Sequence, residues 1–213
     1  MEKYDIDALI SKYPGLSDCK QSILDAYYVL EECFSNGHKL LISGNGGSAA
    51  DADHIVGELM KGFKSKRQIS NNLKNKIIEL DKKNGSIIAE KIQQGLPAIA
   101  LHNHQSLNTA FLNDVEDGGV FAFAEQVLGY GEEGDVLLAI STSGNSKNVY
   151  YACLVAKAKN MKVVSLSGMD GGLLNNISDV IVKTPAKESF EVQEFHLPIY
   201  HLLCLMLERR FFE

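Results

Sequence analysis

Short apolar runs bounded by turn residues alternate along this chain with longer segments of helical periodicity, and no other feature constrains the fold as strongly. Strands that alternate with helices form a parallel sheet with helices packed on both faces. We therefore predict an α/β fold, a three-layer αβα sandwich around roughly five parallel strands. The predicted strands are Lys39–Ser43, Pro97–Leu101, Asp135–Ile140, Lys162–Leu166 and Val180–Val182.

Long helices are predicted near both ends of the chain. Apolar residues recur at helical spacing over Leu16–Ser35 and again over Phe190–Arg210. Pro198 lies inside the second of these segments, where it removes one backbone hydrogen bond. We therefore expect a kink in the C-terminal helix.

The stretch at about 64–95 departs from the alternation, because it is rich in Lys, Asn and Gln and its Ile and Leu residues are helically spaced in two groups. We interpret it as a helical insertion into a single domain that spans residues 1–213, with Asn84 and Gly85 as the break between two helices. Its charged face is most simply solvated surface, and a lid or an oligomer contact is the alternative.

Composition and charge narrow the class of protein. The chain has 213 residues, 45% of them apolar, and a net charge of −6, which disfavours nucleic-acid and membrane-surface partners. Its start lacks the basic segment and apolar stretch of a signal peptide, and no apolar run approaches the roughly 18 residues of a membrane span. We predict a cytoplasmic protein.

The cysteines, expected to be reduced structural thiols, are Cys19, Cys33, Cys153 and Cys204.

A glycine-rich turn, Gly44–Ser48, follows the first predicted strand, and a helical pattern begins with Ala49. Glycines allow a positive φ and close approach of a ligand, and the helix start offers free N–H groups to an anion. Taken alone, such a turn is more often structural than catalytic. Neither a dinucleotide-binding fingerprint nor a P-loop is present, so no nucleotide cofactor is predicted.

A second turn places four hydroxyl groups between a predicted strand and a helical segment. These groups belong to Ser141, Thr142, Ser143 and Ser146. One hydroxyl suffices to cap a helix, which is the structural alternative. Hydroxyls and backbone N–H groups at a helix start bind phosphate without lysine or arginine, which suits an acidic protein. We therefore predict that this turn binds a phosphate group.

Two helices carry residues suited to proton transfer. His54 and Glu58 are four residues apart and lie on one helix face. Gln193 and His201 are eight residues apart, a little over two turns, and share a face of the C-terminal helix. His196 lies on a different face, and we interpret it as a core histidine with satisfied hydrogen bonds.

The two turns, in Gly44–Ala52 and Ser141–Ser146, resemble signature motifs of the phosphoheptose isomerases. The resemblance covers most of the chain outside the insertion, and it implies a sugar isomerase (SIS) domain with a flavodoxin-like sheet. It also implies that the second turn holds the phosphate of a small-molecule sugar phosphate. The other sugar contacts that it implies are Asn45, Gly46, Gly47, Ser48, Asp114 and Gln193.

The resemblance further implies an aldose–ketose isomerase that converts sedoheptulose 7-phosphate to D-glycero-D-manno-heptose 7-phosphate through a cis-enediol. Glu58 would move the proton between the carbons, and His201 would carry protons on the oxygens. A zinc site is the alternative or additional role of these side chains, and its ligands would be His54, Glu58, Gln193 and His201. A homotetramer with active sites between subunits is also implied.

Several positions depart from the family pattern. Lys61 is the cation nearest the place where relatives usually have an arginine, and Glu191-Val192 replaces an arginine-isoleucine pair. Two alternatives stay open: another ketose phosphate as substrate, or a non-catalytic SIS domain that binds a sugar phosphate or serves as an adaptor. Because Glu58 and His201 are both present, catalysis is favoured.

Overall fold

The computed structural model describes residues 5–213 and confirms the predicted α/β class. All strand pairs are parallel, in the order β2-β1-β3-β4-β5. Each strand begins and ends within one residue of the predicted run. The strands are β1 (Leu40–Ser43), β2 (Ala98–Ala100), β3 (Val136–Ser141), β4 (Lys162–Ser167) and β5 (Val180–Lys183).

Helices cover both faces of the sheet, as the alternation predicts. Successive strand residues point to opposite faces, so Leu40 and Ile42 enter one apolar core while Leu41 enters the other. The first core is closed by α1, α2, α3 and α9, and the second by α7 and α8. The helices are α1 (Ile6–Lys12), α2 (Lys20–Ser35), α3 (Gly47–Met60), α4 (Asn71–Leu80), α5 (Lys82–Lys91), α6 (Gln105–Asp114), α7 (Ala122–Tyr130), α8 (Lys147–Ala158) and α9 (Ser189–Phe212).

The helices at the two ends differ in detail from the prediction. The predicted helix Leu16–Ser35 is divided, because a 3-10 helix over Pro14–Cys19 precedes α2. A further short helix, α1, begins where Asp5 accepts a hydrogen bond from the backbone N–H of Ala8 at 2.7 Å. At the other end, α9 contains Pro198 and extends one residue before and two residues beyond the predicted segment, and the kink at Pro198 stays a prediction.

The segment around 64–95 forms two helices, as predicted, but the predicted break between them is wrong. The break lies at Asp81, whose carboxylate accepts hydrogen bonds from the backbone N–H groups of Lys83 and Asn84 and so caps α5. Gly85 lies inside α5, where a Cβ atom would come within 2.3 Å of the Ile77 carbonyl oxygen. The glycine therefore permits close packing of α4 against α5 instead of ending a helix.

The strand order places both turns at one point of the sheet edge. The chain leaves β1 to form β2 on one side and returns to form β3 on the other, with Ser43 paired to Ala139. In sheets of this order, ligands bind where the direction of winding reverses, outside the carboxyl ends of β1 and β3. The turns that follow β1 and β3 meet at this switch point.

Two other predictions concern the thiols and membranes. All four cysteines are free and buried, which confirms their structural assignment. Cys33 and Cys153 lie within the two apolar cores, and burial raises the pKa of each thiol to about 12. Within residues 5–213, no helix combines the length and apolar character needed to cross a bilayer. Cytoplasmic location and the absence of nucleic-acid partners stay predictions.

Candidate active site

The glycine-rich turn joins β1 to α3 in a conformation that requires two of its glycines. Gly46 has a φ of +55° and directly precedes α3. At Gly44, a Cβ atom would lie 2.6 Å from the carbonyl oxygen of Ser48. The start of α3 can therefore pack tightly on the end of β1. Ser48 is buried, while Asn45 is exposed at the sheet edge.

The hydroxyl-rich turn after β3 is held partly by its own side chains. Ser141 Oγ donates to Ser146 Oγ at 3.0 Å, and the backbone N–H of Asn145 donates to Ser143 Oγ at 3.2 Å. Ser146 directly precedes α8, yet its side chain forms no capping hydrogen bond. Helix capping therefore does not explain these hydroxyls. The Ser143 side chain is exposed at the mouth of the turn.

A pair of amide side chains joins the two turns. Asn45 Nδ2 donates to Asn148 Oδ1 at 2.9 Å, and Asn148 Nδ2 donates to Asn45 Oδ1 at 2.8 Å. Thr142 Oγ1 lies 3.0 Å from Ser189 Oγ, at the first residue of α9. Sequence reasoning did not identify Asn148 or Ser189, because only the strand order brings them to the switch point.

A cavity of about 230 Å³ opens beside this amide pair. His102, from the short 3-10 segment after β2, contributes to its lining together with Asn45 and Asn148. His102 Nε2 lies 3.0 Å from Asp53 Oδ2, and its Nδ1 is buried without a hydrogen-bond partner. No spacing in the sequence signals that His102 belongs to this site.

Three titratable side chains meet where α3 faces α9. His54 Nε2 lies 3.3 Å from Glu58 Oε1 and 3.3 Å from His201 Nε2. The Glu58 side chain is 14% exposed, and its Oε2 is buried without a hydrogen-bond partner. The shared face predicted for His54 and Glu58 is confirmed. We call these three residues the acid–base cluster.

Two further side chains extend the acid–base cluster into the protein. Tyr200 OH lies 3.0 Å from His54 Nδ1 and donates to Asp51 Oδ1 at 3.3 Å. The other carboxylate oxygen of Asp51 is buried without a partner. Sequence reasoning missed both residues, because a tyrosine in an apolar helix and an aspartate near a helix start are common structural features.

Burial sets the charge states around His54. Burial and the neighbouring His54 lower the pKa of His201, and Glu58 opposes them. Burial raises the pKa of Asp51, against the opposing effects of Tyr200 and His54. Burial and the Asp51 carboxylate raise the pKa of Tyr200. At neutral pH, His201 is therefore a neutral imidazole with one donor and one acceptor nitrogen.

Two other predicted site residues lie away from the acid–base cluster. Gln193 packs against the start of α3, where a Cβ atom at Gly47 would approach its Nε2 to 2.5 Å. Asp114 ends α6 with an exposed side chain that accepts a hydrogen bond from Asn113 Nδ2 at 2.8 Å. Gln193 is therefore adjacent to the glycine-rich turn. The sugar contacts assigned to these two residues stay predictions.

His196 is fully buried in α9, as predicted for a core histidine. Burial lowers its pKa to about 4, although the backbone of Ser167 at the end of β4 favours the charged ring. Neither ring nitrogen has a hydrogen bond of good geometry, so the contact with the Ser167 backbone is a weak one and fully satisfied hydrogen bonds stay a prediction. At neutral pH, the ring is an uncharged polar group inside the protein.

The zinc ligand set implied by the resemblance is only partly assembled. His54, Glu58 and His201 are neighbours, whereas Gln193 lies at the start of α3. The two distances of 3.3 Å, from His54 Nε2 to Glu58 Oε1 and to His201 Nε2, are not by themselves evidence of a metal centre. Within the described residues 5–213, no group of three or more His, Cys, Asp or Glu side chains is arranged to hold a metal ion. The four predicted ligands are therefore not assembled as one set.

Glu58 and His201 lie far along their helices from the helix ends that adjoin the two turns. At 1.5 Å of rise per residue, Glu58 is roughly 16 Å along α3 from Gly47, and His201 is roughly 18 Å along α9 from Ser189. Within one chain, about three helical turns separate each of these residues from the start of its helix. His201 also lines an open groove of about 410 Å³ between α1 and α9.

Comparisons with known proteins identify the family of this chain. A family model described as the SIS domain matches residues 82–168. The chain is 41% identical over 184 residues to a phosphoheptose isomerase of Geotalea daltonii, covering 86% of this chain and 81% of the relative. It is 34% identical over 212 residues to a phosphoheptose isomerase of Coxiella burnetii, covering 98% and 92%. The solved phosphoheptose isomerase of Neisseria gonorrhoeae matches with a TM-score of 0.74 at 30% identity, covering 95% of this chain and 94% of that one.

Proposed function

The chain belongs to the phosphoheptose isomerase family and is an enzyme of the isomerase class, and from this premise we propose that it interconverts sedoheptulose 7-phosphate and D-glycero-D-manno-heptose 7-phosphate in heptose biosynthesis. One observation carries the proposal. A hydroxyl-rich turn lies at the switch point of the sheet, and the helix that starts beside it carries His54 and Glu58. The turn suits phosphate binding, and the helix suits proton transfer.

The hydroxyl-rich turn is the proposed phosphate site. α8 starts there and is 12 residues long, so its free N–H groups and positive end face the turn. The exposed Ser143 hydroxyl and the partly buried Thr142 hydroxyl can donate to phosphate oxygens. This arrangement binds a dianion by directed hydrogen bonds in a chain whose net charge is −6.

Glu58 is the proposed base for the carbon proton. In the ketose-to-aldose direction, its carboxylate takes a proton from C1, and the C–H electron pair forms the C1=C2 bond of a cis-enediol. The same carboxyl then gives the proton to C2, while the oxygen on C1 becomes the aldehyde carbonyl. Glu58 Oε2 supports this role, because it lies in the protein without a hydrogen-bond partner that would compete for the proton.

His201 is the proposed carrier of the oxygen proton. In the same direction, O2 must gain a proton and O1 must lose one, so the net transfer is from O1 to O2. A neutral imidazole can give a proton from one nitrogen and take one at the other. The lowered pKa of His201 supports this role, since it keeps the ring neutral at neutral pH.

We further propose that each active site forms between subunits of a homotetramer. An extended seven-carbon sugar phosphate spans roughly 10 Å from its reacting carbons to phosphorus, given bonds of about 1.5 Å. That length is shorter than the roughly 16 to 18 Å of helix that separates Glu58 and His201 from the helix starts beside the turns in one chain. The open groove beside His201 leaves room for a second chain.

Mixing two variants tests this shared site when substrate is kept far below KM, where each variant alone is expected to be nearly inactive. Glu58→Gln lacks the base, and a Ser141→Ala/Ser143→Ala variant lacks two hydroxyls of the turn. If sites combine the two chains, the mixed oligomer is expected to regain up to roughly a quarter of wild-type activity, because some sites receive both intact parts. A mixture that stays inactive after confirmed subunit exchange would place both parts of the site in one chain.

Zinc stays a prediction of the resemblance, and no step above depends on it. Elemental analysis of the purified protein, before and after chelation, tests the prediction directly. One zinc per chain that is lost in His201→Ala, together with activity that zinc restores after chelation, would establish the metal. Protein that is active and free of metal would refute it.

The function itself is tested by incubating the protein with sedoheptulose 7-phosphate in deuterium oxide, beside fructose 6-phosphate and ribulose 5-phosphate. With the heptulose phosphate, we expect the aldose to form and deuterium to appear at C1 and C2. NMR spectroscopy measures both. Exchange with only another sugar would keep the mechanism and change the substrate. Binding without exchange for all three sugars would overturn the isomerase proposal.

A further inference from the structure

A buried ion pair closes the end of α3, away from both turns. Arg67 Nε donates to Glu208 Oε1 at 2.8 Å, and the two side chains are 0% and 1% exposed. The guanidinium also lies 4.6 Å from the centre of the Phe212 ring. Burying two charges is costly unless their hydrogen bonds are satisfied, so the partners of this pair indicate what it holds in place.

Glu208 holds the loop that follows α3. Its carboxylate accepts hydrogen bonds from the backbone N–H groups of Phe63 at 2.7 Å, Lys64 at 2.8 Å and Ser65 at 3.2 Å. Although burial acts in the opposite direction, the backbone N–H groups of Lys64 and Phe63 and the guanidinium of Arg67 lower the pKa of Glu208. The carboxylate therefore stays ionised at neutral pH and fixes the path of the loop.

Arg67 holds the last turn of α3 itself. Its Nη2 donates to the carbonyl oxygen of Glu58 at 2.9 Å, and its Nη1 donates to the carbonyl oxygen of Leu59 at 2.6 Å. The last carbonyls of a helix have no partners within the helix, and a cation is favoured at that end. Arg67 therefore caps α3 at the residue proposed as the base.

The same pair ties α3 to α9. Glu208 lies seven residues beyond His201, which is about two helical turns and so on the same face of α9. Arg67 connects that face to the backbone of Glu58. The distance between Glu58 and His201 thus depends on a pair that contacts neither side chain.

We propose that Arg67 is a positioning residue for the isomerase reaction: it fixes the backbone of Glu58 and so aims the Glu58 carboxylate at the reacting carbon, with Glu208 holding the guanidinium in place. The inference rests on the proposed function of Glu58. Lysine cannot replace the guanidinium, because a single ammonium group lacks the planar fork that serves Glu208 and two carbonyls together.

The test compares Arg67→Lys with Arg210→Lys. Arg210 lies on the same helix as Glu208 and forms a partly exposed ion pair with Glu31 at 2.8 Å, so it is a matched arginine–glutamate control. For Arg67→Lys we expect kcat to fall roughly 10- to 100-fold with KM within about twofold, because a small misplacement of a catalytic group costs that much. Arg210→Lys should stay within about twofold in both constants.

Hydrogen–deuterium exchange supplies a readout that does not depend on activity. Arg67→Lys should speed exchange in residues 56–65, and Arg210→Lys should not. Unchanged kcat in Arg67→Lys overturns the inference, as does a loss of activity that matches a loss of folded protein. If Arg67→Lys does not fold, the second variant is Glu208→Gln, which removes the charge beside the guanidinium but keeps the side-chain volume. Its hydrogen exchange in residues 56–65 and its kcat are then measured in the same way. If wild type isomerises no sugar, the proposed function fails, and unchanged exchange in 56–65 still overturns the positioning role.

Discussion

The turns at the switch point and the acid–base cluster are built by different means. The turns take their shape from glycines with positive φ, at 46 and 144, and from hydrogen bonds such as that between Ser141 and Ser146. The acid–base cluster joins side chains 147 positions apart in the chain, on two packed helices. It also leaves carboxylate oxygens of Glu58 and Asp51 buried without partners.

This difference indicates how the two parts respond to change. A turn held partly by local hydrogen bonds keeps more of its shape when a distant helix shifts. The acid–base cluster depends on how α3 and α9 pack, so a change in either helix moves the reacting groups relative to each other. We therefore expect binding and turnover to be separable, and the following variants test that separation from the largest expected effect to the smallest.

The largest expected effect comes from Glu58→Gln, which removes the proposed base but keeps the volume of the side chain. We expect kcat to fall roughly 10²- to 10⁴-fold, the usual contribution of a general base. The dissociation constant for the sugar phosphate, measured by calorimetry, should change by no more than about twofold. Glu79→Gln, at an exposed position on α4, is the matched control. An equal loss of binding and turnover would contradict the separation.

Acid should destabilise the helix that carries His201. The pKa of His196 is about 4 in the folded protein, against 6.5 as its ordinary value, so the unfolded chain binds the proton more readily. The stability contributed by the neutral ring is complete above pH 6.5 and is lost as the pH falls toward 4, by about 3 kcal/mol in total.

Urea unfolding between pH 7 and pH 4.5 measures this effect. His196→Leu should flatten the dependence on pH, whereas His104→Leu, at a partly exposed position, should not. A dependence that is equally steep in both variants would assign the acid sensitivity to other groups.

A smaller effect is expected in the phosphate site. Ser143→Ala removes an exposed hydroxyl of the turn, and we expect KM to rise roughly 10-fold because a hydrogen bond to a charged phosphate is lost. Steady-state kinetics should show kcat within about twofold of wild type. Ser86→Ala, on the surface of α5, serves as the control. A fall in kcat with KM unchanged would mean that the turn acts in chemistry and not in binding.

The smallest expected effect belongs to Tyr200→Phe. The variant removes the hydroxyl that lies between Asp51 and His54, and loss of its hydrogen bond with His54 corresponds to roughly a 3- to 10-fold change. We expect that loss in kcat, with KM unchanged. Tyr28→Phe, on the exposed side of α2, is the control. Unchanged kcat would show that the reaction does not depend on how His54 is held.

Much of the scaffold was predictable from the sequence. β3 was predicted as Asp135–Ile140 and is Val136–Ser141, because apolar runs between turn residues mark buried strands clearly. The two turns were identified for a similar reason, since glycines and clustered hydroxyls are local signals. The break between α4 and α5 was misplaced, because Gly85 serves the packing of one helix on another and not a turn.

The rest of the site was not predictable in this way. Asn148 reaches Asn45 only because β1 and β3 are neighbours in the sheet, and Ser189 reaches Thr142 only because α9 begins beside the end of β3. The sequence pattern does not distinguish Tyr200 from the other apolar residues of its helix. Its contacts with His54 and Asp51 arise only from the packing of α9 on α3. Arg67 stands in a stretch of polar residues that predicts solvated surface, yet its side chain is fully buried.

By itself, therefore, the sequence determined the parallel sheet, the two turns and the helix faces, because periodicity and glycine conformation act over a few residues. The tertiary structure alone decided which turns meet, that His54 faces His201, and that Arg67 closes the end of α3. Those contacts join residues that are distant in the chain or on separate elements. Helix packing and strand order determine these contacts, and no local sequence pattern predicts either of them.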